Sequence, residues 1–446
     1  MLIKHLKKYK GVAVIEEKRK FSYSDLNSQI YLYSEDLSKY IKSGDVIVLK
    51  SDYSFYAISL LIAVSRFPCI IIPIVDSSIE EIEKKYIASS PNKIIEISNV
   101  GKLIIVDYPL NTHIFDNYTK ITRNNECGIV LFSSGSTGLP KIMVQNLNRI
   151  IDLLPSPKKQ KKLNFLLFLL FDHIGGLNTL LNCLNVGSTV TIPINRKPET
   201  IIKVISLENV NVLPTSPTFL NLMMIESSFD VANLSSLKLI TYGTERMPEG
   251  LLKKIKNKIP HVRLLQTFGT SETGILKTLS KSSDSTYFKI SDPNQEYKII
   301  DNELYIKSKT KVEGYINSSN KNFKKNGWFA TGDLVDVDND GYIKIVGRKD
   351  NVINVGGLKV LPIEVEDIIN RLDEVVDCTV YGLQNSITGH IVCVRVVKNK
   401  ETEEIELKKK IKNYCKENLD KYKVPAKIIF EKNITFNKRY KKKLNK

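Results

Sequence analysis

The chain has 446 residues, 42% of them hydrophobic and 26% charged, with a formal net charge of +18. That length exceeds one ordinary domain at roughly 150 residues per domain, and the composition excludes disordered and collagenous classes. The positive charge is spread along the chain as lysine beside Asn and Ile, with no recurring aromatic-basic platform, so it suits anionic small substrates and not a nucleic-acid groove.

From the amino terminus, lysines interrupt the apolar positions of Met1 to Lys20 every few residues, which leaves no h-region of a secretory signal. The longest apolar runs, Cys69 to Val75 and Leu163 to Phe171, fall short of the roughly 18 residues that cross a bilayer. A cytoplasmic protein without a membrane span is predicted. After Phe21-Ser-Tyr-Ser-Asp-Leu26 comes a helical pattern carried by Leu32, Leu37, Tyr40 and Ile41, then Gly44-Asp45 and an apolar strand from Val46 to Leu49. A helix from Tyr56 to Ser65 and strands at Cys69 to Ile74, Lys102 to Val106 and Gly128 to Phe132 continue the alternation, which implies parallel sheets covered by helices.

Beyond the strand from Tyr342 to Val346, Gly347-Arg-Lys-Asp350 interrupts the pattern. A short helix from Pro362 to Leu372, strands at Val375 to Gly382 and His390 to Val397, and a charged helix near 403–418 follow. The expected architecture is α/β: a large N-terminal domain of parallel and mixed sheets covered by helices (1–346), a hinge (347–350), and a small mobile C-terminal α+β domain (351–446). Six cysteines without a CxxC pair suggest neither a disulfide framework nor a structural zinc site, and five histidines without HExxH argue against a catalytic zinc.

The strongest local signal is Leu131-Phe-Ser-Ser-Gly-Ser-Thr-Gly-Leu-Pro-Lys141 after an apolar strand. Backbone N–H groups and hydroxyls of Ser133, Ser134, Gly135, Ser136, Thr137 and Gly138 can wrap a polyphosphate, and Lys141 adds a cation. The spacing is not that of a Walker A loop.

The loop resembles the signature of the AMP-forming superfamily of acyl-CoA synthetases, luciferases and nonribosomal adenylation domains, and further stretches resemble its other motifs in the right order. They are Phe171-Asp-His-Ile-Gly-Gly-Leu177, Tyr242-Gly-Thr-Glu245, Gln266-Thr-Phe-Gly-Thr-Ser-Glu-Thr-Gly274, Gly327-Trp-Phe-Ala-Thr-Gly-Asp333, and Gly347-Arg-Lys-Asp350 with Gly356-Gly-Leu-Lys-Val-Leu-Pro362. The resemblance spans about Phe21 to Lys442 and implies a site residue by residue.

By that resemblance Gly243, Thr244 and Glu245 form the adenine turn, and Phe268, Gly269 and Ser271 lead into Glu272, which with Thr137 holds Mg²⁺. Asp333 accepts both ribose hydroxyls, Arg348 adds a fixed charged fork, and Gly356 and Gly357 line a pantetheine tunnel. His173 sits at the carboxylate pocket, its register set by Gly175-Gly176-Leu177. Asp172 lies out of register with the α-amine-binding Asp of amino-acid-activating members. Taken singly, each motif is weak: such a Glu is otherwise a helix cap and such a His a core residue.

The implied reaction joins a small carboxylic acid to AMP, using ATP and Mg²⁺ and releasing pyrophosphate. The acyl group then passes to the thiol of CoA or of carrier-protein phosphopantetheine, as the small domain rotates about Asp350. Fatty acid metabolism is the expected setting, and the apolar residues Ile174, Leu177, Leu220 and Met223 are expected around an acyl or aryl acid. Carrier-protein loading, amino-acid activation and a nucleotide-binding pseudoenzyme are the competing readings.

The last rests on the tail, Ile434-Thr-Phe-Asn-Lys-Arg-Tyr-Lys-Lys442, which departs from the family's Pro-x-Thr-x-x-Gly-Lys. An ungapped count puts Arg439 at the lysine; one deletion puts Lys438 there, the reading taken here because a compact ammonium follows carboxylate and phosphate through the reaction. Lys438→Ala is expected to cut acyl-adenylate formation at least about a hundredfold, ~3 kcal/mol of transition-state stabilisation, while Lys442→Ala changes little. Loss on Arg439→Ala instead would select the ungapped register.

Overall fold

Near-continuous apolar strands require burial on both faces, and Ile70–Ile74, buried at every position, receives it. The computed structural model describes residues 5–75, 78–108, 115–133, 139–155, 162–310, 312, 314–399 and 402–432. One sheet runs Leu103–Asp107, Lys93–Ile97, Val46–Lys50, Ile70–Ile74, Gly128–Ser133, Lys141–Asn146, its central strands parallel and both edges antiparallel. A second runs Arg263–Gln266, Leu239–Tyr242, Val212–Thr215, Asn164–Leu166, Thr189–Ile192, Val12–Glu16, Arg19–Ser22, parallel up to a terminal hairpin.

An antiparallel sheet follows in the order Thr278–Ser280, Phe288–Ile290, Ile343–Arg348, Phe329–Val337, Glu303–Ser308, Gln295–Ile300. The last sheet, Leu358–Val360, Ile353–Val355, Gly389–Lys398, Val375–Asn385, takes Lys427–Glu431 as a parallel addition and packs helices Pro362–Ile369 and Glu404–Asn418. Its apolar core, from Ile353 to Ile428, is its own. The α/β class read from the sequence is what the fold shows.

Local chemistry sets the first helix, Tyr23–Leu37. Ser22 Oγ accepts the Asp25 N–H at 3.0 Å, and Asp25 Oδ2 accepts the Ser22 N–H at 2.7 Å, so two otherwise orphan donors are satisfied. The buried stripe is Tyr23, Leu26, Ile30, Tyr33 and Leu37. Leu32, 57% exposed, lies off it on the opposite face, and Tyr40, 48% exposed, falls beyond the helix end at Leu37.

A second difference lies at the expected hinge. The strand Ile343–Arg348 continues through Gly347 and Arg348, since Arg348 pairs across the ladder with Asp333. The chain then makes a short 3₁₀ turn, Lys349–Asn351.

All six cysteines are buried and unpaired by disulfides, with Cys69 Sγ and Cys127 Sγ 4.0 Å apart. Burial pushes the Cys183 thiol well above the usual range and that of Cys415 to about 11. Among the described residues no helix is long and apolar enough to cross a membrane.

One packing contact is testable directly. A Cβ on Gly176 would stand 2.1 Å from the Leu170 carbonyl oxygen and 2.7 Å from the Tyr53 hydroxyl. The carbonyl belongs to backbone and cannot step aside, so Gly176→Ala is expected to lower unfolding free energy by about 1–3 kcal/mol or more. Urea unfolding of the variant within about 0.5 kcal/mol of the parent would refute that close approach.

Candidate active site

Parallel strands deliver their carboxyl ends to one edge, where open α/β sheets bind ligands. Here that edge opens into a cleft of ≈ 2020 Å³ whose wall includes Thr215, Thr241, Gly243 and Thr244 from the second sheet. Ser133 and Lys141, from an antiparallel pair at the side of the first sheet, face it as well.

The hairpin Phe268–Thr270 to Gly274–Leu276 carries Ser271 and Glu272 at its turn. Gln145 Nε2 donates to the Ser271 carbonyl at 2.7 Å, tying that turn to the strand that starts at Lys141. The Thr270 hydroxyl accepts the Glu272 N–H at 3.2 Å. Glu272 Oε1 accepts the Tyr315 hydroxyl at 2.6 Å, and burial beside that carboxylate raises the Tyr315 phenol far above its usual range. The Lys141 ammonium lies 5.1 Å from the centre of the Tyr315 ring. Lysine, phenol and carboxylate thus form one cluster on the cleft wall.

Gly243 has a reason beyond ligand approach. A Cβ there would meet Thr267 Oγ1 at 2.4 Å and the Thr267 carbonyl oxygen at 2.8 Å. The next residue, Thr244, holds φ at +70°, so the turn has a fixed, costly shape.

His173 caps the helix Ile174–Asn185: its Nδ1 accepts the Gly175 N–H at 3.2 Å. Asp172 is buried and contacts the Lys85 ammonium at 3.4 Å.

Arg348 borders the cleft and Asp333 lies behind it, with Arg348 Nε 2.7 Å from Asp333 Oδ1. Burial pushes the Asp333 carboxyl up to about 6, against the pull of Arg348.

The structure thus brings Ser133, Lys141, His173, Gly243, Thr244, Gly269, Ser271, Glu272 and Arg348 to one cleft, with Asp333 one contact behind. It does not bring Glu245, Phe268, Gly356 or Gly357 to the wall. Glu245 Oε1 accepts the Thr218 N–H at 2.9 Å, at the start of the helix Pro217–Ile225. Phe268 stacks on Phe288, and Gly356 and Gly357 form a turn where an added Cβ meets nothing. Of the apolar residues expected around the acid, Ile174 borders the cleft, whereas Leu177, Leu220 and Met223 are consumed by the cores behind it. Ser134, Gly135, Ser136, Thr137, Gly138, Lys438 and Arg439 lie outside the described residues.

A nucleotide and its metal fit what is present. Among the described residues the buried hydroxyls of Thr215 and Thr244 on the cleft wall have no partner, and neither has Asp333 Oδ2 behind it. Such atoms suit ribose, base and phosphate groups. Among the described residues no group of three or more His, Cys, Asp or Glu forms a ready metal cage.

Residues 5–322 match the AMP-binding enzyme family, and residues 364–437 match the AMP-binding enzyme C-terminal domain. The chain belongs to the AMP-binding enzyme family. Within that family it is similar to an indoleacetate–CoA ligase of Aromatoleum aromaticum, 26% identical over 328 residues, 68% of this chain and 63% of that one. It is also similar to a 2-succinylbenzoate–CoA ligase of Bacillus licheniformis, 26% identical over 326 residues, 69% of this chain and 66% of that one. In both cases the match spans less than two thirds of the relative's own length. The fold is similar to that of the anthranilate CoA ligase AuaEII in complex with anthranoyl-AMP, with a TM-score of 0.81, 18% identity, and 99% and 95% of the two chains covered.

Tyr315 and Lys85 carry no motif that the sequence reading could use. The Tyr315–Glu272 contact joins residues 43 apart, and only their neighbouring apolar patterns were visible.

The Asp333 environment predicts two opposed pH slopes. Its folded-state pKa, about 6, lies above the unfolded value, so between about pH 4 and 6 the native state binds the extra proton. Stability from this group therefore rises as pH falls through that window. Nucleotide binding needs the ionised acceptor and should weaken over the same interval. Calorimetric ATP affinity and thermal melts of the parent and Asp333→Asn check this: both slopes should flatten in the variant, and unchanged slopes would remove Asp333 as their source.

Proposed function

We propose that this AMP-binding enzyme is an AMP-forming acid–thiol ligase that activates an aryl or acyl carboxylic acid and transfers it to CoA. The observation that carries the reading is the Lys141–Tyr315–Glu272 cluster together with Arg348 on one cleft at the ends of parallel strands, with Asp333 paired to Arg348 behind the wall. Relatives named as CoA ligases of indoleacetate and 2-succinylbenzoate support an aryl acid over a long fatty chain.

In the first half-reaction a carboxylate oxygen of the acid attacks the α-phosphorus of ATP. The bond to the bridging oxygen breaks, pyrophosphate leaves, and a mixed acid–phosphate anhydride with AMP remains. In the second, a thiol sulfur attacks the acyl carbon, the thiol proton is lost, and AMP leaves. Neither step needs a protein nucleophile; the site contributes position and charge.

Asp333, ionised, accepts from the ribose hydroxyls through its free Oδ2, while Arg348 holds its other oxygen. Lys141 brings a cation to the leaving phosphates. Glu272, oriented by Tyr315 and by the Thr270 hydroxyl, would hold Mg²⁺ together with phosphate oxygens. The bound cation would supply charge neutralisation for the departing pyrophosphate. His173, on the cleft wall, faces the carboxylic acid.

ATP–pyrophosphate exchange across a panel of aryl and alkyl acids tests the reading, followed by thioester formation with CoA and with a holo carrier protein. Acid-dependent exchange with aryl acids and product with CoA are expected. ATP binding without any acid-dependent AMP would favour the pseudoenzyme, and product with the carrier alone would change the acceptor. Glu272→Ala should abolish the Mg²⁺-dependent exchange while its melting curve stays close to the parent's; near-normal exchange would displace Glu272 as the metal ligand.

A further inference from the structure

The turn Tyr242–Glu245 borders the cleft on one side, and its next residue reaches away from it. Arg246 Nη2 lies 2.6 Å from Asp367 Oδ2, on the helix Pro362–Ile369 of the small C-terminal unit. Both side chains are largely enclosed, 10% and 18% exposed. The pair is single-pronged: Arg246 Nε and Nη1 and Asp367 Oδ1 are buried without partners. A planar guanidinium can grip a carboxylate with two parallel bonds, so this contact holds less than its chemistry allows.

Further contacts between the two units come from elements flanking the same turn. Asn221 Nδ2 donates to the Val376 carbonyl at 3.0 Å, from the helix whose first turn Glu245 caps. Lys254 Nζ stands 4.0 Å from Asp373 Oδ1, on the helix Glu249–Lys258 that follows Arg246. In this arrangement the described wall of the cleft ends at Asp350, and the Gly356–Gly357 turn stays off it.

We propose that Arg246 and Asp367 form a latch that holds the small unit in the orientation used to make the acyl-adenylate, and that the latch opens for transfer to the thiol. The inference rests on the two half-reactions proposed above. Its physical content is that one buried, under-bonded ion pair orients the unit yet yields when the competing orientation gains contacts. Arg246 follows by two residues the left-handed Thr244, which lines the cleft, so the latch residue and the cleft share one turn. Arg246 and Asp367 act as positioning residues and touch no reacting atom.

The test uses the full chain and the variants Arg246→Ala, Asp367→Ala and the exchange Arg246→Asp with Asp367→Arg. Each single variant should lose on the order of tenfold in ATP–pyrophosphate exchange, within the usual span of coupling effects. Thioester formation from supplied acyl-adenylate and CoA should stay within about twofold of the parent. The charge exchange should recover most of the lost exchange rate, which a merely structural role would not do.

Equal loss in both half-reactions, loss in neither, or failure of the exchange to rescue would each overturn the latch. Small-angle scattering reads it without activity: the single variants should show a looser small unit and the charge exchange a return to the parental curve. If the parent lacks acid-dependent exchange while scattering follows this pattern, the functional reading falls and the latch stands. Superimposable curves for all four proteins would overturn the latch whatever the activity.

Discussion

Parallel pairing is the constraint on which the molecule depends. Strands that run the same way must be joined by crossovers, and the crossovers put helices on both faces. All their carboxyl ends then open on one side. In the second sheet that rule alone places Thr215, Thr241 and the Gly243–Thr244 turn in a row, before any side chain has been chosen for its chemistry. The antiparallel sheet, which has no such edge, contributes differently: its ladder sets Asp333 opposite Arg348, with Arg348 at the cleft and Asp333 behind it. Two kinds of pairing therefore build one site.

Charge within that site is handled by neighbours at close range. Tyr315 satisfies Glu272, Arg348 satisfies one oxygen of Asp333, and Lys85 approaches Asp172. In each case a carboxylate removed from water keeps at least one oxygen in use, which avoids the full cost of an uncompensated buried charge. The oxygen left over at Asp333 is the kind of vacancy in hydrogen bonding that a ligand's hydroxyl can fill.

Much of this was legible in the residues. The strands at Val46–Lys50, Ile70–Ile74 and Gly128–Ser133 announce themselves as unbroken apolar runs, and the helix Glu404–Asn418 by its charged periodicity. Motif order pointed to the cleft residues Lys141, Gly243 and Glu272. What escaped was non-local. Leu32 and Leu37 both suit a helix, and only the packing partner decides which stripe is inside. Leu220 and Met223 have the right chemistry for a pocket, but the core behind it needs them more. The partners Tyr315 and Asp367 sit in stretches with no pattern of their own, and they matter through folding that joins distant parts of the chain. Gly347 and Arg348 looked like a break because glycine interrupts an apolar run, whereas the ladder tolerates it for the sake of the cross-strand ion pair.

The buried thiols carry a chemical consequence. An acid–AMP anhydride is an acylating agent, and a cysteine thiolate within reach would intercept it. Cys183 lies on the cleft's own wall. Burial keeps its proton on, and a thiol with its proton is a poor nucleophile. With the other five cysteines also enclosed, the proposed reaction would leave the protein unlabelled by its own anhydride, and an acceptor thiol arriving from solvent would meet no competitor at the wall.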